Sequence, residues 1–196
     1  FPKKKIIVAG CMPQAGIKSP VKGTAAIGPH NLLDIVKLVE GKQKTATSRK
    51  TAVKVGMPKK SGSRHINIIQ ILEGCSGACA YCIVKQAKPL LLSFPQDAII
   101  HEVEAGLKRG SHEVWLTSQD NASYEREKTA IHKSCLPELL KEIDKIEGKF
   151  FVRVGMMNPD TIMPVLDKLI EAYKSPKIFK FLHMPVQSGN DRILKL

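Results

Sequence analysis

Three cysteines lie close together directly after the apolar stretch 66–72, and they strongly restrict how this chain can fold. Cys75, Cys79 and Cys82 are separated by gaps of three and two residues, and small residues fill most of the positions between them. Small residues let a backbone fold tightly around an inorganic core and direct amide N–H groups toward its sulfides. The spacing therefore favours an iron–sulfur cube held at three corners.

The number of thiols separates this interpretation from two others. A structural zinc site is almost always closed by four ligands, whereas a cluster held by three thiolates leaves one iron open to a substrate or cofactor. A zinc site completed by His65 or another distant ligand stays open as an alternative. A disulfide with a spare thiol is the other, although disulfide frameworks are typical of short, cysteine-dense secreted chains.

Strand and helix patterns alternate along the rest of the chain. Apolar runs predict strands over 66–72, 114–117, 150–154 and 179–184, and apolar residues at helical spacing predict helices over 95–109, 136–147 and 160–173. Pro164 is expected in the first turn of the last of these helices, where its missing N–H costs little. The alternation predicts an α/β fold with parallel strands and right-handed crossovers.

Polar residues follow each predicted strand. The cysteines follow the first strand, Ser118-Gln119-Asp120 the second, Met157-Asn158-Pro159 the third and Gln187-Ser188 the fourth. In parallel barrels the reactive groups cluster at the carboxyl ends of the strands, so we expect these segments to face one cavity. Polar residues at such positions are also common as helix caps or turn formers, and Asn158-Pro159-Asp160 has that role open to it.

The cysteine spacing, with the aromatic Tyr81 before the last thiol, resembles that of radical S-adenosylmethionine (SAM) enzymes. Residues 73–84 resemble the methylthiotransferases of that family in particular, and three further segments agree with it: 113–120, 152–159 and 181–189. Within the methylthiotransferases, the Trp-Leu-Thr-Ser and Arg-Val-Gly-Met-x-Asn-Pro segments are similar to the archaeal and eukaryotic branch. That branch adds a methylthio group to N6-threonylcarbamoyladenosine in transfer RNA (tRNA).

The resemblance implies a domain organisation. Residues 65–196 would form part of a (βα)6 radical SAM barrel, similar to a TIM barrel and incomplete. Residues 42–64 would be a basic linker, and residues 1–41 would be the end of an α/β amino-terminal domain. Because the sequence starts without methionine and stops inside a predicted helix, we expect it to be a piece of a longer protein.

The resemblance also implies a cofactor set and a mechanism. Cys75, Cys79 and Cys82 would hold a [4Fe–4S] cluster whose open iron is chelated by SAM. An electron donor would reduce the cluster, and cleavage of SAM would give methionine and a 5′-deoxyadenosyl radical that takes hydrogen from C2 of the adenosine. Tyr81 would lie against the adenine of SAM. Four further residues would lie near its methionine and ribose ends: Gln119, Asp120, Gln187 and Ser188.

Cys11 matches a ligand of a second, auxiliary [4Fe–4S] cluster in the family. Two more cysteines complete that cluster in relatives, and they would lie upstream of the present sequence. Without the resemblance, the preferred interpretation of a strand ending in Gly10-Cys11 would be a buried strand with a core cysteine. Cys135 is interpreted as structural, and the histidines match no metal-binding spacing. Among them, only His183 lies at the end of a predicted strand near the expected cavity.

Positive charge is concentrated in the first third of the chain. The formal net charge is +13, and residues 1–64 carry +12 of it, from 14 Lys and Arg against Asp34 and Glu40. Residues 41–64 contain no acidic residue, so the segment could contribute salt-dependent affinity for RNA phosphates. A solvated connector without a partner is the alternative. The basic residues of this segment are Lys42, Lys44, Arg49, Lys50, Lys54, Lys59, Lys60 and Arg64.

Composition predicts a cytoplasmic protein. No apolar run approaches the roughly 18 residues of a membrane span, and no secretory leader is visible. Five cysteines, an odd number, together with a redox cofactor suit a reducing cytosol. Two other functions stay open: a different radical SAM methylthiotransferase or methyltransferase, acting on isopentenyladenosine tRNA or a ribosomal protein, and a zinc-stabilised RNA-binding module.

Overall fold

The computed structural model describes residues 4–17, 24–49, 52–60, 62–131 and 133–195. The chain divides into two compact units, and each is described here by itself. The first unit contains the described residues up to Ala52 together with Ala78–Leu90, and the second contains Val53–Gly77 and the described residues from Leu91 onward. None of the helices in these ranges is long and apolar enough to cross a membrane.

The first unit is built on a small parallel sheet. Its strands are β1 (Ile7–Ala9), β2 (Ala25–Ile27) and β3 (Thr45–Ala46), and they lie in that order. A small apolar core of Ala25, Ile27, Leu38 and Ala46 lies in this unit. The helices of the unit are α1 (Cys11–Gln14), α2 (Ile35–Val39), which follows a 3-10 turn at Pro29–Asp34, and α3 (Val84–Ala87).

Strand β3 lies inside the segment predicted as a basic linker, 42–64. Thr45 pairs with Ala26, and Ala46 pairs with Ile27 and is almost fully buried. The reason is that β2 offers free backbone groups along one side, and residues 45–46 satisfy some of them as a third parallel strand. The compact units divide after Ala52, in the middle of the predicted linker.

The second unit contains a larger, three-stranded parallel sheet, whose strands are given in their spatial order. Its strands are β4 (Ile66–Gln70), β7 (Glu113–Thr117) and β8 (Phe151–Val154), and a separate antiparallel pair is formed by β5 (Leu72–Glu73) and β6 (Leu92–Ser93). Its helices are α4 (Gln96–Lys108), α5 (Leu136–Asp144), α6 (Pro159–Ile162), α7 (Leu166–Tyr173) and α8 (Asp191–Leu194). The predicted α/β fold with parallel strands is confirmed.

Alternate residues of the larger sheet form the core of the second unit. Ile69, Leu116 and Val154 are buried among helix residues such as Ile99 and Leu140. The residues between them, which point to the other face of the sheet, stay half-buried or exposed. One face of the sheet is therefore covered by helices, and the other is open among the described residues.

The first predicted strand is interrupted at Ile71. Its backbone N–H donates to the carbonyl of Thr117 at 3.1 Å, and its carbonyl accepts from the N–H of Phe94 at 2.9 Å. One residue thus pairs with β7 on one side and with the segment before α4 on the other. The prediction of a continuous strand over 66–72 was wrong because the chain leaves the parallel sheet here for the antiparallel pair.

The predicted helix over 160–173 is also divided. A 3-10 turn at Met163–Val165 separates α6 from α7, and Pro164 lies in that turn. Proline has no N–H to donate and its ring meets the carbonyl four residues earlier, so an α-helix cannot continue through it without a distortion. Pro164 therefore lies in the first turn of a helical segment, as expected, but that segment is a separate 3-10 helix, and the prediction of one continuous helix over 160–173 was wrong.

The fourth predicted strand, 179–184, does not form as a regular strand. Ile178 makes a single parallel bridge with Val152, and the N–H of Phe179 donates to the carbonyl of Val152 at 3.0 Å. The N–H of Phe181 then donates to the carbonyl of Phe179 at 2.7 Å, which turns the chain away from β8. The segment follows β8 but pairs with it only briefly.

Two neighbouring residues of α7 test this packing. Leu169 is 3% exposed in the core, whereas Ile170 is 52% exposed. We expect Leu169→Ala to lower the free energy of unfolding by about 2–4 kcal/mol and Ile170→Ala by less than about 1 kcal/mol. Urea unfolding followed by circular dichroism measures both. Equal losses would contradict the burial of one face of α7.

Candidate active site

The cysteine loop begins next to the carboxyl end of β7. The backbone N–H of Gly74 donates to the side-chain oxygen Oε1 of Gln119 at 3.0 Å. Gly74 has φ of +88°, a left-handed conformation that other residues rarely adopt. Gln119, predicted as a SAM contact, therefore has a local role in the structure: it fixes the turn that leads from β5 into Cys75.

A buried carboxylate connects the carboxyl ends of β7 and β8. Asp120 is 1% exposed, and its Oδ1 accepts hydrogen bonds from the backbone N–H groups of Ala122, at 3.1 Å, and Asn158, at 2.9 Å. Its Oδ2 accepts from the hydroxyl of Ser123 at 2.7 Å. Both carboxylate oxygens are thus occupied by protein donors. The predicted contact of Asp120 with SAM stays a prediction, and the structure adds a positioning role.

Ser123 carries this network to the cysteine loop. Its buried Oγ lies 2.8 Å from the Oγ of Ser76, the residue after Cys75. Because the Ser123 hydroxyl donates its hydrogen bond to Asp120, the Ser76 hydroxyl is the donor in the pair that it forms with Ser123. Sequence reasoning missed the roles of both serines. An available signal was Asp120-x-x-Ser123, in which the aspartate caps a short 3-10 helix over Asn121–Ser123.

The approach of β8 to β7 depends on Gly155. Its N–H donates to the carbonyl of Leu116 at 2.9 Å, and a Cβ added to Gly155 would lie 2.8 Å from that same carbonyl oxygen and 2.8 Å from Nδ2 of Asn121. Such distances are shorter than real Cβ contacts. Glycine is therefore required at this position for Asn158 to lie within reach of Asp120.

Cys75 belongs to the second unit and is half-buried. The backbone N–H of Gly77 lies 3.2 Å from its Sγ. A hydrogen bond of this kind stabilises negative charge on sulfur, which suits a thiolate ligand. Small residues around the thiol leave the backbone free to adopt this turn.

Cys79 and Cys82 belong to the first unit. Cys79 is exposed and Cys82 is half-buried, and the N–H of Cys82 donates to the carbonyl of Cys79 at 3.1 Å to form a turn. Tyr81 lies between them with 70% of its surface exposed. Partial desolvation, and then the neighbouring Cys79 thiol, raise the pKa of the Tyr81 phenol. Helix α3 begins two residues after Cys82.

Cys11 is exposed at the start of α1, directly after the end of β1. Gly10 precedes it with φ of +115° and donates its N–H to the carbonyl of Ile27 at 2.9 Å, so the turn into α1 is fixed. Helices α1 and α3 pack against each other within the first unit. The short helix that begins at Cys11 and the one that follows Cys82 are thus neighbours.

Gln187 and Ser188 lie in an irregular segment after Phe181. Ser188 Oγ accepts from the N–H of Asn190 at 3.1 Å and therefore has a turn-forming role. Gln187 is exposed and has φ of +62°, an uncommon conformation for a residue other than glycine. His183 is exposed, and its carbonyl accepts from the N–H of Met157 at 2.9 Å. This bond fixes the segment against the residues that follow β8.

The donor set fits an iron–sulfur cluster by its chemistry. All five cysteines are free thiols, and one thiol of the motif accepts a backbone N–H. Within the described ranges, no group of three Cys, His, Asp or Glu side chains is arranged as a preformed metal site. The assignment of Cys75, Cys79 and Cys82 as ligands accordingly stays a prediction.

Comparison with known proteins gives consistent matches. The profile of the Radical SAM superfamily matches residues 69–196. A probable threonylcarbamoyladenosine tRNA methylthiotransferase of Archaeoglobus fulgidus is 41% identical over 98% of this chain and 46% of the relative. The protein of the same name in Methanothermobacter thermautotrophicus is 38% identical over 99% of this chain and 46% of the relative. A threonylcarbamoyladenosine tRNA methylthiotransferase of Drosophila melanogaster is 34% identical over 97% of this chain and 36% of the relative. The chain spans about half the length of the archaeal relatives.

Substitution of Asp120 tests whether the carboxylate supports the strand ends. We expect Asp120→Asn to lower the free energy of unfolding by about 2–4 kcal/mol, because an amide cannot serve all three donors and hydrogen bonds to charged acceptors contribute about 1.5–3 kcal/mol each. The exposed Asp167→Asn is the matched control and should cost less than about 0.5 kcal/mol. Urea titration measures both, and a neutral Asp120→Asn would show that the network is dispensable.

Proposed function

Since the chain belongs to the radical SAM superfamily, whose members use a [4Fe–4S] cluster and SAM, we propose that the intact protein methylthiolates C2 of N6-threonylcarbamoyladenosine in tRNA. The Cys75, Cys79 and Cys82 spacing inside the matched region carries the radical part of this proposal. The names of the archaeal and insect relatives, which are similar over nearly the whole chain, support the substrate.

Cys75, Cys79 and Cys82 would hold the cluster that binds SAM. When bound, these groups supply reductive cleavage of a carbon–sulfur bond and abstraction of hydrogen from an unactivated carbon, which acid–base side chains do not readily achieve. The chain's own contribution is to hold the thiols. The hydrogen bonds from Gly77 to Cys75, and from Ser76 through Ser123 to Asp120, support an ordered loop around the first thiol.

The residues predicted to contact SAM have proposed roles of two kinds. Tyr81, exposed beside Cys79, would lie against the adenine of SAM. Gln187 and Ser188 would bind the polar ends of SAM, and the left-handed backbone at Gln187 supports a functional constraint there. Gln119 and Asp120 would act at the same edge while their present hydrogen bonds orient the backbone.

A second [4Fe–4S] cluster is proposed with Cys11 as one of its ligands. The thiol is exposed and follows a fixed turn at Gly10. The packing of α1 against α3 supports a location for this cluster on the same unit as Cys79 and Cys82. Reduction of either cluster requires an electron donor, which is a further proposed partner.

The basic segment is the proposed contact for tRNA phosphates, and the ion pairs within the protein distinguish which of its cations are available for such a contact. Lys54 pairs with Glu73 at 2.6 Å, Lys59 pairs with Glu102 at 2.9 Å and Lys42 pairs with Glu40 at 2.8 Å, so much of their charge is neutralised. Lys50 lies outside the described residues. Four exposed cations of the segment have no ion pair within the described ranges: Lys44, Arg49, Lys60 and Arg64.

Substitution of one thiol separates catalysis from RNA binding. In the full-length protein we expect Cys79→Ala to lower SAM cleavage by at least about 100-fold, because a cluster ligand is lost, while affinity for tRNA changes by less than about 2-fold. Formation of 5′-deoxyadenosine and filter binding of tRNA are the two measurements. Cys135→Ala is the control and should leave both unchanged. Equal loss of both activities would contradict separate cluster and RNA surfaces.

Thiol labelling tests the ligand assignment without measuring turnover. We expect brief anaerobic alkylation at pH 8 to modify the exposed Cys79 in the cluster-free protein, and to spare Cys75, Cys79 and Cys82 after cluster reconstitution. Cys135 should react slowly in both states, because burial, and then the nearby Glu125, raise the pKa of its thiol and reduce its thiolate fraction. Mass spectrometry of peptides measures each site. Unchanged labelling of Cys79 on reconstitution would exclude it as a ligand.

A further inference from the structure

One arginine in the second unit contacts two aromatic rings, those of Trp115 and Phe181, which together are called the aromatic clamp below. The guanidinium carbon of Arg153 lies 4.9 Å from the ring centre of Trp115 and 4.9 Å from that of Phe181. Trp115 and Arg153 are direct partners in the parallel sheet, so their side chains share one face. Phe181 reaches the same face from the segment that follows the bridge at Ile178. This face is the one that the helices leave open.

The hydrogen-bonding groups of the arginine have no protein partner among the described residues. A guanidinium has five N–H donors in its plane. Within the described part of the chain, no carboxylate, carbonyl or hydroxyl oxygen is paired with these donors. Arg153 is also half-buried, which makes the lack of an anionic partner unusual.

Trp115 is fixed by its own hydrogen bond. Its indole Nε1 donates to Oε2 of Glu113 at 2.8 Å, so the ring is held in place and that carboxylate is engaged. Arg153 lies on β8, two residues before Gly155, and Asn158, which follows the strand, donates its backbone N–H to Asp120. The clamped guanidinium is therefore on the open face of the strand that leads into the candidate active site.

We propose that Arg153 binds the carboxylate of the threonylcarbamoyl group of the substrate. This inference rests on the proposed function and specifies how the same site selects its nucleoside. A planar guanidinium binds a carboxylate through two parallel hydrogen bonds, and contact with the two rings of the aromatic clamp restricts the positions that it can take. An isopentenyl group has no anion to offer, so Arg153 would discriminate against isopentenyladenosine by leaving its donors unpaired.

Binding of isolated nucleosides to full-length protein, with the cluster reconstituted and SAM absent, tests this proposal. The probes are N6-threonylcarbamoyladenosine and the methyl ester of its threonyl carboxylate, measured by isothermal titration. We expect wild type to bind the acid about 10- to 100-fold more tightly than the ester. This comparison needs no variant and is independent of any folding defect.

Variants then assign the preference to Arg153. Arg153→Gln should weaken binding of the acid to the level of the ester and leave ester binding unchanged, and Arg153→Lys should restore part of the preference. Arg109→Gln, which removes an arginine that pairs with Glu102 on α4, is the matched control and should change neither affinity. Affinity for SAM, measured without nucleoside, should be equal in wild type and Arg153→Gln.

Three results would overturn the inference. Loss of SAM binding in Arg153→Gln would assign the guanidinium to the carboxylate of SAM. Equal loss of acid and ester would assign it a structural role. If the wild-type protein methylthiolates threonylcarbamoyladenosine tRNA but binds the acid and the ester with equal affinity, the role of Arg153 is excluded while the proposed function stands. A wild type that does not modify this tRNA would instead overturn the proposed function itself.

Discussion

The carboxylate of Asp120 is the interaction on which the arrangement of the candidate site depends. It lies almost fully buried at the end of β7, where an unpaired charge would be costly, and it accepts hydrogen bonds from two backbone N–H groups and one hydroxyl. One donor follows β8 and another, Ser123, contacts the residue after Cys75. A single side chain thus relates two strand ends and the beginning of the cysteine loop, and three separate segments of sequence acquire a common geometry.

Much of the second unit could be predicted from local sequence patterns. Helix α4 lies within a residue of its expected limits because Ile99 and Val103 share a buried face and Gly110, with φ of +91°, follows its end. The limits of β7 also lie within a residue of those predicted. The errors at Ile71, Pro164 and 179–184 have another origin, since each depends on which backbone groups find partners elsewhere in the fold. A strand pattern predicts burial, but it does not predict the neighbour with which the strand pairs.

The candidate site was predictable to a different extent. The cysteine spacing and the polar residues after the strands identified the segments, because parallel strands direct their carboxyl ends to one edge. The serine relay and the aromatic clamp around Arg153 were not visible, since both join residues that are distant in sequence. The net charge of the basic segment likewise did not predict which of its cations are paired. Lys54 lies in that segment, and the buried Glu73, which is distant in sequence, compensates its charge. Counting charges cannot reveal such compensation.

The absence of a side chain at Gly155 has a consequence for redesign of this protein. The strand ends approach closely because no atom stands between residue 155 and the carbonyl of Leu116. A larger side chain at that position would separate β8 from β7 and disturb the hydrogen bonds that Asp120 accepts at the strand ends. A redesign of the open face beside Arg153 should therefore keep this glycine and vary the exposed ring of Phe181, which borders that face without joining the two strands.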